Sequence, residues 1–184
     1  MHAHGGEPAG AEALRARNAR VFARRGIETI VVVGTACASE LGRLETEHGI
    51  AVREITDWLV DRPAEEWPTL GTLDRHIAIH TPCSQRHHLA SPGATRRLLE
   101  RVPGLSLTAI DGNQRCCGAA GLQALLYPDE AERLREPKLD SIARIRPDTV
   151  VSANVGCATH LAAGADLTVR QPVELLAESI LAAR

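Results

Sequence analysis

The sequence predicts an α/β protein built on parallel strands, and three observations carry that expectation. Ile30-Val31-Val32-Val33 and Thr149-Val150-Val151-Ser152 are short runs rich in β-branched residues, as buried strands are. Helix-like stretches alternate with such runs along the chain, which is the pattern of a parallel sheet. Cysteines fall just beyond the strands' C-terminal ends, at Cys37, Cys83, the pair Cys116-Cys117 and Cys157. Parallel α/β folds build their sites from those loops.

Taken in order, Glu12 to Arg25 reads as a solvent-exposed amphipathic helix, with Ala13, Leu14, Val21 and Phe22 among many arginines and Gly26 as its stop. Its arginines look like a solvated or docking face. The strand at Ile30–Val33 is followed by a turn, Gly34 to Cys37, then a helix over Ser39–His48, a strand at Ala51–Arg53 and a helix over Ile55–Val60. Arg62 to Gly71 carries Pro63, Pro68 and Gly71 among charges and reads as a connector. His76-Ile77-Ala78-Ile79-His80 alternates like a strand and leads into Cys83. Ser91-Pro92 is a helix start, with an N-cap and a first-turn proline, and that helix is expected to run to Val102. A strand at Leu105–Ile110 leads to the paired cysteines. A helix from Pro128 to Arg146 carries Pro137 as an expected kink or break. The strand at Thr149–Ser152 turns through Asn154–Cys157 into a helix over Ala158–Gly164. Thr168–Arg170 and Pro172–Ala183 close the chain as a strand and a helix.

Composition excludes several functions. Of the 184 residues 44% are hydrophobic and 24% charged, which reads as globular. A net charge of −2 and an aromatic content of 2% offer nothing to a nucleic acid, so none is expected as partner. No apolar run has the roughly 18–20 residues of a membrane helix. No paired carboxylates, Ser/His/Asp order or phosphate-binding glycine loop appears. Five cysteines in an otherwise ordinary composition point to metal or redox chemistry in a reducing compartment, and the cytoplasm is expected.

Adjacent cysteines cannot easily bond each other. Neighbouring Cα atoms lie about 3.8 Å apart, short of the roughly 4.4–6.8 Å of a disulfide. They do present two thiolates to one soft metal or cluster. Cys83, Cys116, Cys117 and Cys157 therefore form the candidate ligand set, with Gly118 and Gly156 allowing close backbone approach. Read blandly, Cys116 and Cys117 are two small buried hydrophobes. Three positions beyond Cys157, His160 is a candidate additional ligand, above all for zinc, or a plain surface histidine. His80, His87 and His88 flank Cys83, and a solvated loop is the simple reading of them.

An internal repeat organises the chain. Glu28 through Leu41 lies on Asp148 through Leu161 at an offset of 120 positions, with Cys37 on Cys157 and Pro8 on Pro128. Carried back by the same offset, the Cys-Cys-Gly would precede Met1. The expected architecture is thus two pseudo-repeated parallel βαβ-type modules, the first incomplete: residues 1–61, a connector at 62–75, and a complete second module at 76–184. Cys37, without partners in its own module, reads as an orphan thiol.

Cys116-Cys117-Gly118-Ala119-Ala120-Gly121, Asn154-Val155-Gly156-Cys157-Ala158-Thr159-His160-Leu161 and Pro172-Val173-Glu174-Leu175-Leu176 resemble the cysteine-rich "CCG" domain. That domain is shared by the iron–sulfur subunit of glycolate oxidase, lactate-utilisation iron–sulfur proteins and a subunit of heterodisulfide reductase; the motifs are most similar to the glycolate oxidase branch. His2-Ala3-His4-Gly5-Gly6-Glu7 resembles the segment after the first module's Cys-Cys-Gly. The resemblance implies a C-terminal piece of a longer protein, without its ferredoxin-like domain and the front of module one. It implies an iron–sulfur electron-transfer module of a flavin-linked 2-hydroxy-acid dehydrogenase complex, itself non-catalytic. An FAD-containing dehydrogenase subunit would be its partner, and contact with the inner face of the cell membrane is expected only through the complex. The cofactor would be a [4Fe–4S] cluster on Cys83, Cys116, Cys117 and Cys157. Two alternatives stay open: a zinc-binding structural or assembly module, and heterodisulfide reductase-like thiol/disulfide chemistry. Modules of the latter kind end in Cys-x-x-Cys, and here His160 stands at the last position, which weakens that alternative.

Overall fold

A computed structural model describes residues 2, 5–164 and 167–184. Ala3 and His4 of the N-terminal segment singled out above lie outside the described residues. The chain is α/β with every strand pairing parallel, in two sheets.

The first sheet follows α1 (Pro8–Arg24) and consists of β1 (Thr29–Val32) and β2 (Ala51–Glu54), linked by α2 (Thr35–Leu41) and α3 (Arg43–His48). Proline in the first turn starts α1 earlier than its apolar pattern alone suggests. Gly42 divides the single helix expected over Ser39–His48 into two. Gly34, at φ +117°, lets α2 begin at Thr35 directly after β1, so Cys37 sits in a first helical turn and not in a loop. Ala19, Leu44, Ile50 and Val52 form a small core between α1, α3 and β2. Among the described residues β1 pairs only with β2, and Val31 within it and Val33 just after it are exposed.

Helix α4 (Ile55–Val60) leaves β2 at Glu54, whose carboxylate accepts from the Thr56 amide at 2.8 Å. Its other oxygen has no partner. Glu54 is only 2% exposed, and burial raises its pKa above the ordinary carboxyl value, against the Thr56 hydrogen bond. The folded chain therefore holds this proton at a pH where the unfolded chain has lost it. Stability contributed by the protonated carboxyl is complete below about pH 4 and declines as the pH rises through the folded-state pKa. Glu54→Gln should raise the melting temperature at pH 7, with the gain vanishing below about pH 4; thermal melts at both pH values check this.

The second sheet has the order β4-β3-β5-β6, made of β3 (Arg75–His80), β4 (Leu105–Ala109), β5 (Thr149–Ser152) and β6 (Val169–Arg170). α5 (Ala94–Leu99) joins β3 to β4, and α7 (Pro128–Ile145) carries the chain back across β3 to β5. Strand order thus reverses beside β3, where the carboxyl ends of β3 and β5 open a crevice. α8 (Val155–Ala162) and α9 (Pro172–Ala182) complete the unit. Ile77, Ile79, Leu99, Val151 and Leu175 fill one face; Ala78, Ile110, Ile142 and Val150 fill the other. Because β3 is central, Ile77 to His80 are all buried, and the alternation read for this strand does not separate core from solvent.

Local details differ from expectation. α7 runs unbroken through Pro137. α5 starts at Ala94, and the Ser91 hydroxyl donates to Asp57 (2.8 Å) without capping it. Ser84–His88 forms a wide helical turn, with the Leu89 amide reaching back to Ser84 (3.0 Å). A short helix, α6 (Gln123–Leu126), follows the paired cysteines. α1 and α7, β1 and β5, and α2 and α8 begin at residues 8 and 128, 29 and 149, and 35 and 155, each pair 120 positions apart.

Candidate metal centre

The crevice gathers four of the five cysteines. Cys83 follows β3, Cys116 and Cys117 lie in the loop after β4, and Cys157 sits in the first turn of α8, whose N-cap Asn154 accepts from the Cys157 amide (3.3 Å). All four line one pocket of about 290 Å³, together with Ala119, Ala120, Gly121 and Gly156. Small residues leave the sulfurs clear. Cys117 and Cys157 are buried, Cys83 and Cys116 half-buried, and none is in a disulfide.

Side chains hold the three loops in register. Asn113 accepts from the Thr81 amide (2.9 Å) and donates to the Ile79 carbonyl (3.0 Å), tying the β4 loop to the end of β3. The Gly118 amide points to the Cys116 sulfur at 3.4 Å. Gly118 itself has φ +96°, and a Cβ there would lie 2.3 Å from the Ala131 carbonyl oxygen of α7. Gly156 has ordinary backbone, and its Cβ would meet the Asn154 side chain at 3.3 Å.

The sulfurs act on one another. Hydrogen bonds from Cys117 and Cys83 draw the pKa of Cys116 far down, helped by the Gly118 amide and Lys138. Interaction with Cys116 correspondingly pushes Cys83 up, and Cys117 is pushed up by Cys116, Cys157 and burial. One thiolate stabilised by neighbouring thiols suits a cation, which takes the place of the Cys83 and Cys117 protons when it binds.

His80 lies beneath them. Its ligand nitrogen and the sulfurs of Cys117 and Cys157 are within 4.8 Å of one another. Its Nδ1 meets the Ser152 hydroxyl at 3.0 Å, a pairing set by the β3–β5 register that puts His80 opposite Ser152. Burial, with Lys138 adding to it, lowers the His80 pKa to about 3 and keeps the ring neutral. His160 takes no such place: Nε2 contacts the Ala131 carbonyl at 3.2 Å, bracing the same oxygen against which Gly118 packs. His87 is outside the pocket lining, whereas His88 lines it and bonds the Ser39 hydroxyl (2.9 Å).

The first sheet's helix α2 walls the pocket with Ala36 and Ser39. Thr35 is fully buried; its amide donates to the Ala153 carbonyl (2.9 Å), and its hydroxyl meets Ser84 (2.7 Å) and the Asn154 amide group (3.3 Å). Asn154 also donates to Ser84 at 3.2 Å. This buried knot joins residues next to Cys83 and near Cys157 to the first sheet. Cys37, two residues beyond Thr35, is exposed and outside the pocket. Thr35, Ser84 and the buried Lys138 behind the site were not singled out by sequence. For Lys138 a signal existed, since it lies on the stripe of α7 that buries Ala131, Ser141 and Ile142.

Residues 77–162 match the family model described as CCG, cysteine-rich domain. Among curated proteins, the glycolate oxidase iron-sulfur subunit of Escherichia coli is 30% identical over 168 residues, covering 84% of this chain and 40% of that protein. A dihydromethanophenazine:CoB–CoM heterodisulfide reductase subunit of Methanosarcina barkeri is 26% identical over 184 residues, covering 92% of this chain and 45% of that protein. Lactate utilization protein A of Bacillus velezensis is 26% identical over 108 residues, covering 59% of this chain and 45% of that protein. The chain therefore spans less than half the length of these relatives.

Proposed function

We propose that this chain, whose residues 77–162 match the cysteine-rich domain family, holds an iron–sulfur cluster on Cys83, Cys116, Cys117 and Cys157 and serves electron transfer in an oxidoreductase. The observation that carries the proposal is the convergence of these four thiols, from beyond the ends of three strands, on one pocket lined by small residues. The donor set fits such a group: four soft sulfur ligands are the usual complement of one [4Fe–4S] cluster. When bound, the cluster would supply one-electron capacity at a potential set by burial, charge and hydrogen bonds around its sulfurs.

This chain's own residues would do the rest. Asn113 and Asn154 hold the loops at their spacing, Gly118 lets the paired cysteines approach α7, and α2 screens the site from water. The identity to a glycolate oxidase iron-sulfur subunit supports a flavin-linked 2-hydroxy-acid dehydrogenase as the complex, with an FAD-containing subunit as electron donor and a ferredoxin-like domain as further carrier. Function in the cytoplasm, at the inner face of the membrane where the complex docks, is part of this reading. A histidine in place of a fifth cysteine speaks against heterodisulfide reduction at this site.

Anaerobic reconstitution with ferrous iron and sulfide tests it. The expected result is about four irons and four acid-labile sulfides per chain, with broad sulfur-to-iron absorption bleached by dithionite. Zinc bound as isolated, with no uptake of sulfide, would overturn the reading in favour of a structural metal site.

A further inference from the structure

Among the described residues, no carboxylate answers the buried Lys138. It lies within α7, is 2% exposed, and heads the fully buried side chains by size. Its Nζ makes one hydrogen bond, to the Gly112 carbonyl at 2.9 Å. Among the described residues it enters none of the ion pairs, and the nearby Asp111 is engaged by Arg144. Buried charges in proteins are paired, because an ammonium withdrawn from water without a counter-charge is strongly disfavoured. With no Asp or Glu among the described residues paired to it, a counter-charge is sought in the groups around it.

The four thiolates of a metal-loaded site would supply it. Burial lowers the Lys138 pKa, and the groups that oppose this are Cys117, Cys157, Cys116 and Cys83, all four of the converging set. The lysine reaches the Gly112 carbonyl at the head of the loop that carries Cys116 and Cys117, so its charge is fixed behind them by its one hydrogen bond. A metal group held by four thiolates is anionic overall, and gains one further negative charge on one-electron reduction. A fixed positive charge in a poorly solvated site favours the more negative state.

Resting on the cluster reading above, we infer that Lys138 is the internal counter-ion of the site and a positioning residue for its redox behaviour, raising the reduction potential of the group the four cysteines hold. The charge does this; the hydrogen bond to Gly112 only holds it in place.

Two substitutions separate charge from structure. Lys138→Gln keeps an N–H donor for the Gly112 carbonyl and removes the charge, while Lys138→Arg keeps the charge. The full chain of each, reconstituted with iron and sulfide, is titrated with dithionite in the presence of mediators and followed by electron paramagnetic resonance. Lys138→Gln should be at least tenfold harder to reduce, a shift of about 59 mV to more negative potential for one electron. Lys138→Arg should titrate close to the unmodified chain. A glutamine variant within twofold of the unmodified chain overturns the inference while leaving the cluster reading intact. Failure of the unmodified chain to assemble a cluster would instead strike the cluster reading. In that case, or if the glutamine variant alone fails to load, Co(II) binding to the reduced apoprotein decides. A tenfold loss of Co(II) affinity in Lys138→Gln, with an unchanged far-ultraviolet dichroism spectrum and recovery in Lys138→Arg, supports the counter-ion role. Equal Co(II) affinity refutes it.

Discussion

Cys117→Ser should assemble no cluster, with iron and acid-labile sulfide falling from about four each to background in the same anaerobic reconstitution. Cys117 is the most deeply buried of the four converging cysteines and sits between Cys116 and Cys157, both of which act on its thiol. Serine is nearly isosteric but presents a hard, weakly acidic oxygen where a soft thiolate is needed. The hydroxyl would be left without a partner in the pocket wall, at a cost of about 1–3 kcal/mol. That is too little to unfold the core packed around β3 and β5, so the variant should be folded and empty. Cys37→Ser is the matched control. Its thiol is exposed and lies outside the pocket, and the variant should load as the unmodified chain does. A fully loaded Cys117→Ser would remove this cysteine from the ligand set.

Gly118→Ala should cost both the site and the fold. With φ at +96° and the Ala131 carbonyl 2.3 Å from the position a Cβ would take, alanine is opposed twice. The left-handed conformation costs about 1–2 kcal/mol and overpacking against a helix backbone about 1–3 more. Neither obstacle is a flexible side chain that could swing aside. Ala131 is fully buried in α7, and its carbonyl is also braced by His160. The loop must therefore move, and the Gly118 amide that points to the Cys116 sulfur moves with it. At about 2–4 °C per kcal/mol for a chain of this size, the melting temperature should fall by roughly 4–20 °C, with cluster content at least halved. Unchanged melting would mean that the loop and α7 are not in contact in solution.

Most of the fold was legible because its signals are local. β5 and α4 begin and end where their residue patterns place them, since the residues that mark each segment lie within it. Pro137 does not break α7, whose remaining contacts carry the helix through the missing amide. The cysteines of the site were legible too, through the Cys-Cys pair and the recurrence of cysteine after each strand. Their surroundings were not. His80 was one of three histidines near Cys83, and only the parallel register of β3 with β5 puts its ring on Ser152 and under the sulfurs.

What the sequence determined by itself is the chemistry: parallel α/β architecture, and soft thiols at strand ends that suit a metal group rather than a disulfide. Tertiary structure alone decided which of those thiols meet and what surrounds them. Cys37 and Cys157 occupy equivalent places 120 positions apart, yet one faces solvent and the other a pocket. Thr35 and Asn154 lie 49 and 70 positions from Ser84, and only packing brings their hydroxyls and amide into one buried knot. Lys138 is one more basic residue in an amphipathic helix until burial strips it of water and leaves four sulfurs as its company. Long-range proximity and desolvation are properties of the packed chain, and no window of sequence contains them.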